Sequence, residues 1–368
     1  MRLVFLLAGC LYGADLLDHP AINYNHAPVH DPVARLDASK LKSDLRSVLE
    51  ALHVPVESQI AVFSKTSLQA PLIEPNNPRT IFFNDSVAVG WMKGGFIEIA
   101  ALDPRQGVQF YTVQPRADAP ARFEKGRDCL RCHVGDATLD VAGYVVRSTY
   151  TAADGSPMLV YGGGAVDHRT PIEDRWGGWF VTGAPATVRH LGNAVIGPHG
   201  DPQTMESLPA KTNSDIAALM VFDHQMHMAN LITRIGWETR AGVGGLAESA
   251  QEFVDYLLFV DEAPVRGNLM GRFAASFNKN VLRDSKGRSL YDLDLQTRLL
   301  RYPCSYMIYS EAFDALPRDA KDAIYKRMVR VLSGAEKDKK YARLSAADRR
   351  AVLEILLETK PDFARVVN

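Results

Sequence analysis

The chain has 368 residues, long enough for about two domains at roughly 150 residues each. Hydrophobic residues make up 46% and charged residues 23%, an ordinary globular composition that excludes a wholly disordered or collagen-like chain. Lys+Arg 42 against Asp+Glu 43 leaves a net charge of −1, so no basic excess exists to neutralise a phosphate backbone and no nucleic-acid partner is expected.

Residues 1–14 read as a signal peptide: Met1-Arg2 precedes the apolar stretch Leu3 to Ala8. Two endings compete. Leu7-Ala8-Gly9-Cys10 resembles a lipobox, the preferred ending, in which a lipidated Cys10 would attach the protein to a membrane. One acyl chain anchors only marginally, so stable attachment would need more than one. The other ending is simple secretion after cleavage near Gly13 or Ala14. Either places the protein in the periplasm or elsewhere outside the cytoplasm. No apolar run reaches the roughly 18 residues of a membrane span.

Residues 15–120 form the next expected segment. Residues 15–35, with Pro20, Pro28, Pro32, His19, His26 and His30, show little periodicity and read as an exposed lead-in. Leu41, Leu45, Val48, Leu49 and Leu52 recur at spacings of three and four, predicting an amphipathic helix over 40–53 stopped by Pro55. From about 59 to 114, short β-branched and aromatic runs alternate with turn residues such as Asn84-Asp85 and Asp103-Pro104, predicting an antiparallel meander.

Residues 121–212 carry the motif with chemical content. Cys129-Leu130-Arg131-Cys132-His133 is C-x-x-C-H, the attachment signature of one covalent haem c. Two thiols three residues apart on a helical turn can each bond one vinyl group, and the next imidazole then lies under the iron as its proximal ligand. A thioredoxin-like reading lacks the preceding strand, since residues 123–128 are polar, and a zinc reading lacks a second ligand pair. Downstream, 144–151 and 157–161 flank Asp154-Gly155 as a hairpin, and Trp179 to Thr182 is a further strand candidate. Arg175 to Trp179 reads either as a tight Trp-anchored turn between strands or as a haem edge, where Arg147 or Arg175 would pair with a propionate because the planar guanidinium binds carboxylate bidentately.

Residues 213–368 read as helical. Asn213 or Ser214 caps a helix reaching about Arg240; Leu246–Val260, Pro317–Leu332 and a segment opened by Ser345 follow, with Lys337 to Lys340 as a solvated loop. The fold class is therefore α+β, with antiparallel β-rich N-terminal and central parts, a haem-attachment segment and a helical C-terminal third. The first long helix is apolar nearly all round, as buried helices are. On it Asp223, His227, Asn230 and Arg234 form one polar stripe with His224 beside it, which reads either as the distal side of a haem pocket or as a satisfied structural network. His224 and His227 are the candidates for a second iron ligand. Cys304 reads as a small buried hydrophobe.

Segments 63–69, 83–85 with 89–91, 129–133, 175–183 and 301–306 together resemble a group of large bacterial proteins containing a cytochrome c domain. That resemblance implies an exported haem protein and no particular reaction. The function expected is haem binding and one-electron transfer with an unidentified redox partner. The alternatives are a haem-dependent oxidoreductase acting on peroxide or a small substrate, and a haem-based small-molecule sensor; a methionine at the second axial position suits electron transfer, an open or weakly held one suits these alternatives.

Overall fold

The computed structural model describes residues 16–117, 119–205, 208–209, 213–269 and 271–367; the expected signal peptide and Cys10 lie outside them. The fold is α+β. Strands β1 (Ile60–Val62), β2 (Arg79–Phe83), β3 (Val87–Trp91), β4 (Ile97–Asp103), β5 (Gly107–Val113) and β6 (Glu124–Lys125) form one antiparallel sheet in sequence order. Its tight corners are built locally. The Asn84 carboxamide accepts from the Ser86 and Val87 amides, and Asp103 accepts from Arg105 and Gln106.

Alternation of side chains divides the sheet into two buried faces. Phe82, Val87, Val89, Ile97, Ile99, Tyr111 and Val113 pack with Val48 and Leu49 of helix α1 (Leu45–Ala51). The helix starts later than periodicity suggests because Asp44 caps it, accepting from the Ser47 amide. Ile81, Phe83, Ala88, Leu102, Val108 and Phe110 face the other way, into the main core. The lead-in is not exposed as expected. Leu16, Ile22 and Tyr24 are buried with Val141, Ala142 and Trp237, and Asp31 accepts from the Tyr111 hydroxyl at 2.7 Å. Its anchors are irregularly spaced, so no period announces them.

Past the motif, β7 (Arg147–Thr149) pairs with β8 (Gly163–Ala165). The hairpin turn lies at Asp154-Gly155, but Pro157 to Tyr161 is no second strand: after the single bridge Thr151↔Pro157, Leu159–Tyr161 makes one 3-10 turn. Trp179 to Thr182 forms no strand ladder: its β-pairing is the two bridges Val62↔Trp179 and Thr182↔Asp215, and Val181 also accepts from and donates to the Asn193 carboxamide. A small ladder of β9 (Ala194–Ile196) and β10 (Pro202–Thr204) follows.

The remaining helices are α2 (Leu130–His133), α3 (Ile216–Ala241), α4 (Leu246–Leu257), α5 (Phe273–Phe277), α6 (Glu311–Asp314), α7 (Arg318–Leu332), α8 (Ala346–Thr359) and α9 (Pro361–Val367). Helix α3 is capped by Asp215, whose carboxylate accepts from Ala217 and Ala218, rather than by Asn213 or Ser214. The Ser214 hydroxyl instead accepts from the Ala61 amide, tying the helix start to β1. From Ile216 to Trp237 only His227 and Arg234 are less than fully buried. The 337–340 run is not simply solvated: Asp338 caps a turn and Lys340 pairs with Asp255 at 2.6 Å. Among the described residues no helix is long and apolar enough to cross a membrane.

Candidate functional site

Arg127–Cys129 forms a 3-10 turn that runs directly into α2, so Cys129 and Cys132 sit on consecutive turns of one short helical segment. Gly126 anchors it by donating to the Phe110 carbonyl at 2.9 Å. A Cβ at Gly126 would lie 2.9 Å from the Cys129 sulfur, so the glycine lets that thiol lie back toward the sheet. Cys129 is half-buried, Cys132 is exposed, and both are free thiols. Burial pushes the Cys129 thiol up to about 11, which keeps it protonated at neutral pH.

His133 ends α2 with a fixed orientation. Its Nδ1 lies 2.8 Å from the Gly143 carbonyl, and the Gly143 amide donates back to the His133 carbonyl at 3.0 Å. The ring packs against Phe110 with centroids 4.7 Å apart. Burial pulls its pKa below the usual histidine range, so the imidazole is neutral. Its proton sits on Nδ1, the nitrogen facing a carbonyl, which leaves the Nε2 lone pair for a metal.

Cys129, Cys132 and His133 line a cavity of about 400 Å³, within the size range of cofactor sites. Its floor is the main-core face of the sheet. Ala88, Gly90 and Ala100 leave a shallow recess there, because Ala88 pairs with Ala100 across β3 and β4 and none carries a bulky side chain. Tyr144, Trp179 and Phe222 supply apolar walls. Arg79 and Glu98 form an ion pair at 2.5 Å although they stand on β2 and β4, with β3 between them. Gly90 makes that reach feasible: a Cβ there would lie 2.8 Å from the Arg79 guanidinium. Ser67 donates to the other Glu98 oxygen at 2.9 Å.

Arg147 lines this cavity beside the motif, its backbone carbonyl accepting from the Trp179 indole at 2.7 Å. Arg175 does not line it. It is buried elsewhere and spends its donors on the Thr170 and His168 carbonyls, both at 2.7 Å, and on Asp223 at 3.5 Å. His224 and His227 are also absent from the cavity lining. Both ring nitrogens of His224 are engaged, Nδ1 with His168 and Nε2 with the Ser305 hydroxyl, each at 2.7 Å. Burial depresses it to about 3 and His227 to about 4, so both are neutral. Asp223 accepts from the Trp176 indole at 2.9 Å, and burial raises its carboxyl to about 7. His227 instead borders a second cavity of about 200 Å³ with Asp167, Arg169 and Asn230. Tyr144 lines both cavities and stands between the stripe and the motif. The correction has a simple cause: on a helix buried all round, phase says which residues share a face but not what that face meets. The residue α3 contributes to the first cavity is Phe222.

Sequence reasoning missed Arg79, Glu98 and Tyr144. A signal existed for two of them. Arg79 is in phase with Ile81 and Phe83, and Glu98 with Ala100 and Leu102, so each is a charge on an inward-facing strand position. Among the described residues no group of three or more His, Cys, Asp or Glu side chains converges as a metal-ion site, so Cys129, Cys132 and His133 do not close on an ion themselves. No family model, curated protein or solved structure matches the chain.

Proposed function

We propose that this protein is an exported monohaem protein of the c-type cytochrome kind, carrying one covalent haem c in the cavity beside α2. The observation that supports this reading best is the state of the C-x-x-C-H residues. Two free thiols and a neutral imidazole, its Nδ1 committed to a carbonyl, border one cavity with a flat, small-residue floor. The group would supply a redox-active iron.

Cys129 and Cys132 would each form a thioether, the sulfur bonding to a vinyl carbon while the thiol proton goes to the neighbouring vinyl carbon. His133 would ligate through Nε2, with the Gly143 carbonyl fixing its tautomer. Arg147 would pair with a propionate. Ala88, Gly90 and Ala100 would leave room for a planar ring, while Phe110, Tyr144, Trp179 and Phe222 would keep its surroundings apolar. Among the described residues lining the cavity, His133 is the one histidine and no methionine is present. With neither a second histidine nor a methionine there, these lining residues would support chemistry or sensing with a small molecule at the group over simple electron carriage. One-electron transfer to a partner protein is the second reading, favoured by the exposure of Cys132, which would bring one edge of the group to the surface.

Expression in a host with cytochrome c maturation tests the proposal. Haem should stay on the denatured chain in a gel, and Cys129→Ala and Cys132→Ala should each weaken its retention. A wild-type chain that loses all haem on denaturation refutes the covalent site. Carbon monoxide should bind the ferrous protein and shift its spectrum; low-spin bands insensitive to it would restore the carrier reading. Intact mass decides export: holoprotein retaining Met1 overturns it.

A further inference from the structure

Asn230 touches neither the thiols nor the imidazole, yet it is joined to His133 by an unbroken chain of contacts. Its side chain is buried on α3. Oδ1 accepts from the Tyr144 amide at 2.8 Å and Nδ2 donates to the Tyr144 carbonyl at 2.8 Å. One carboxamide thus satisfies both backbone groups of a single residue, as a neighbouring strand would. Tyr144 is fixed at its far end as well, its hydroxyl donating to the Ser86 and Ala100 carbonyls at 3.3 and 3.2 Å. The residue before it is Gly143, whose carbonyl faces His133 Nδ1 and whose amide donates to the His133 carbonyl. A Cβ on Gly143 would collide with Asn230 Oδ1, so helix and loop meet here at the closest approach that glycine allows.

We infer that Asn230 is a positioning residue for His133: it clamps the 143–144 backbone from α3, and so sets the carbonyl that orients the imidazole and strengthens it as a ligand. This rests on the proposed haem site and deepens it. A carbonyl accepting from Nδ1 raises the basicity of Nε2. A more basic axial ligand favours the ferric state, so loosening that carbonyl raises the reduction potential. Of the polar stripe on α3, Asn230 thus bears on the motif through the backbone.

The test uses full-length holoprotein carrying Asn230→Ala, compared with wild type. The expected results are a higher reduction potential and a ferrous iron–histidine stretch moved to lower frequency in resonance Raman spectra. Gly143→Ala, which presses on the same contact from the loop side, should move both readouts in the same direction. If Asn230→Ala yields no folded protein, Asn230→Asp keeps the acceptor for the Tyr144 amide while losing the donor, and should show the same shifts. A readout independent of haem is the share of His133 carrying its proton on Nδ1, measured by nitrogen NMR in the full chain made without haem attachment; the variant should lower it. Unchanged potential, stretch and tautomer, with thermal stability alone reduced, would overturn the inference. If the wild-type chain carries no covalent haem even from a host with cytochrome c maturation, while Asn230→Ala still lowers the share of the Nδ1 tautomer, the haem proposal falls and the positioning role stands.

Discussion

His224 shows how burial sets the charge state of a residue the sequence singles out. It is fully buried, stacked against Tyr256 and Phe259, and depressed to about 3 by desolvation. The unfolded chain titrates this histidine near 6.5. Below that pH the unfolded state takes a proton that the native state refuses, so stability falls as pH drops from about 6.5 toward 3, by up to about 1.4 kcal/mol per pH unit. His227, depressed to about 4, acts in the same direction. Asp223 and Glu262, raised by burial to about 7, oppose them, losing stability as pH rises from about 4 to 7. His224→Gln should therefore cost stability near pH 6.5, cost progressively less as pH falls, and so flatten the acid limb. Urea unfolding at pH 4.5, 5.5 and 6.5 reads the slope, and a slope equal to that of wild type would show that His224 is protonated in the folded state. A lone sequence could identify the stripe that holds His224 but not its partners: His168 and Ser305 stand 56 and 81 residues away. The motif was legible for the opposite reason, since Cys129 to His133 carry their geometry within one turn of chain. The choice between Arg147 and Arg175 needed tertiary structure, because only the fold shows that Arg147 lines the cavity while Arg175 spends its donors on Thr170, His168 and Asp223.

At the scale of elements, the meander was legible because its strands alternate and its corners carry Asn, Asp and Gly, so that local chemistry and sheet register agree. The second hairpin was only half legible. Leu159-Val160-Tyr161 has strand-like composition, yet Gly163 to Ala165 makes the pairing and leaves Leu159 and Val160 74% and 87% exposed. Tertiary context overrides propensity there. The start of α3 illustrates the same limit, as Asn213, Ser214 and Asp215 are all good caps and only the backbone path selects Asp215. Asp215→Ala should cost about 1–2 kcal/mol, because its carboxylate serves the first turn of α3 and also accepts from the Phe273 amide. Denaturant unfolding measures this, and a change below a few tenths of a kcal/mol would show that water replaces the cap. The recess in the sheet makes a second element-level prediction. Ala100→Leu should fill the cavity floor and lower the haem-to-protein ratio of purified material, with the far-ultraviolet circular dichroism of the sheet retained. A ratio equal to wild type would place the group elsewhere.

At the scale of the molecule, one core cluster includes Ile60 of β1, Trp176, much of α3 and Phe363 of α9. Sheet, motif region and C-terminal helices therefore share buried contacts. A single calorimetric unfolding transition is expected, and two resolved peaks would show that these regions unfold independently. At the centre of that core lies α3, closed in on every side from Ile216 to Trp237 apart from His227 and Arg234. Most helices have a tolerant face, so a scan of all substitutions leaves a striped record with a period of about 3.6 residues. This helix has no such face. Scored by survival of folded protein, its record should be a band of intolerance about six turns long, relieved at His227 and Arg234, while α7, with its solvent-facing Lys326 and Arg330, should show ordinary stripes. Over evolutionary time the same asymmetry would confine change to the molecule's rim and hold one central rod nearly constant.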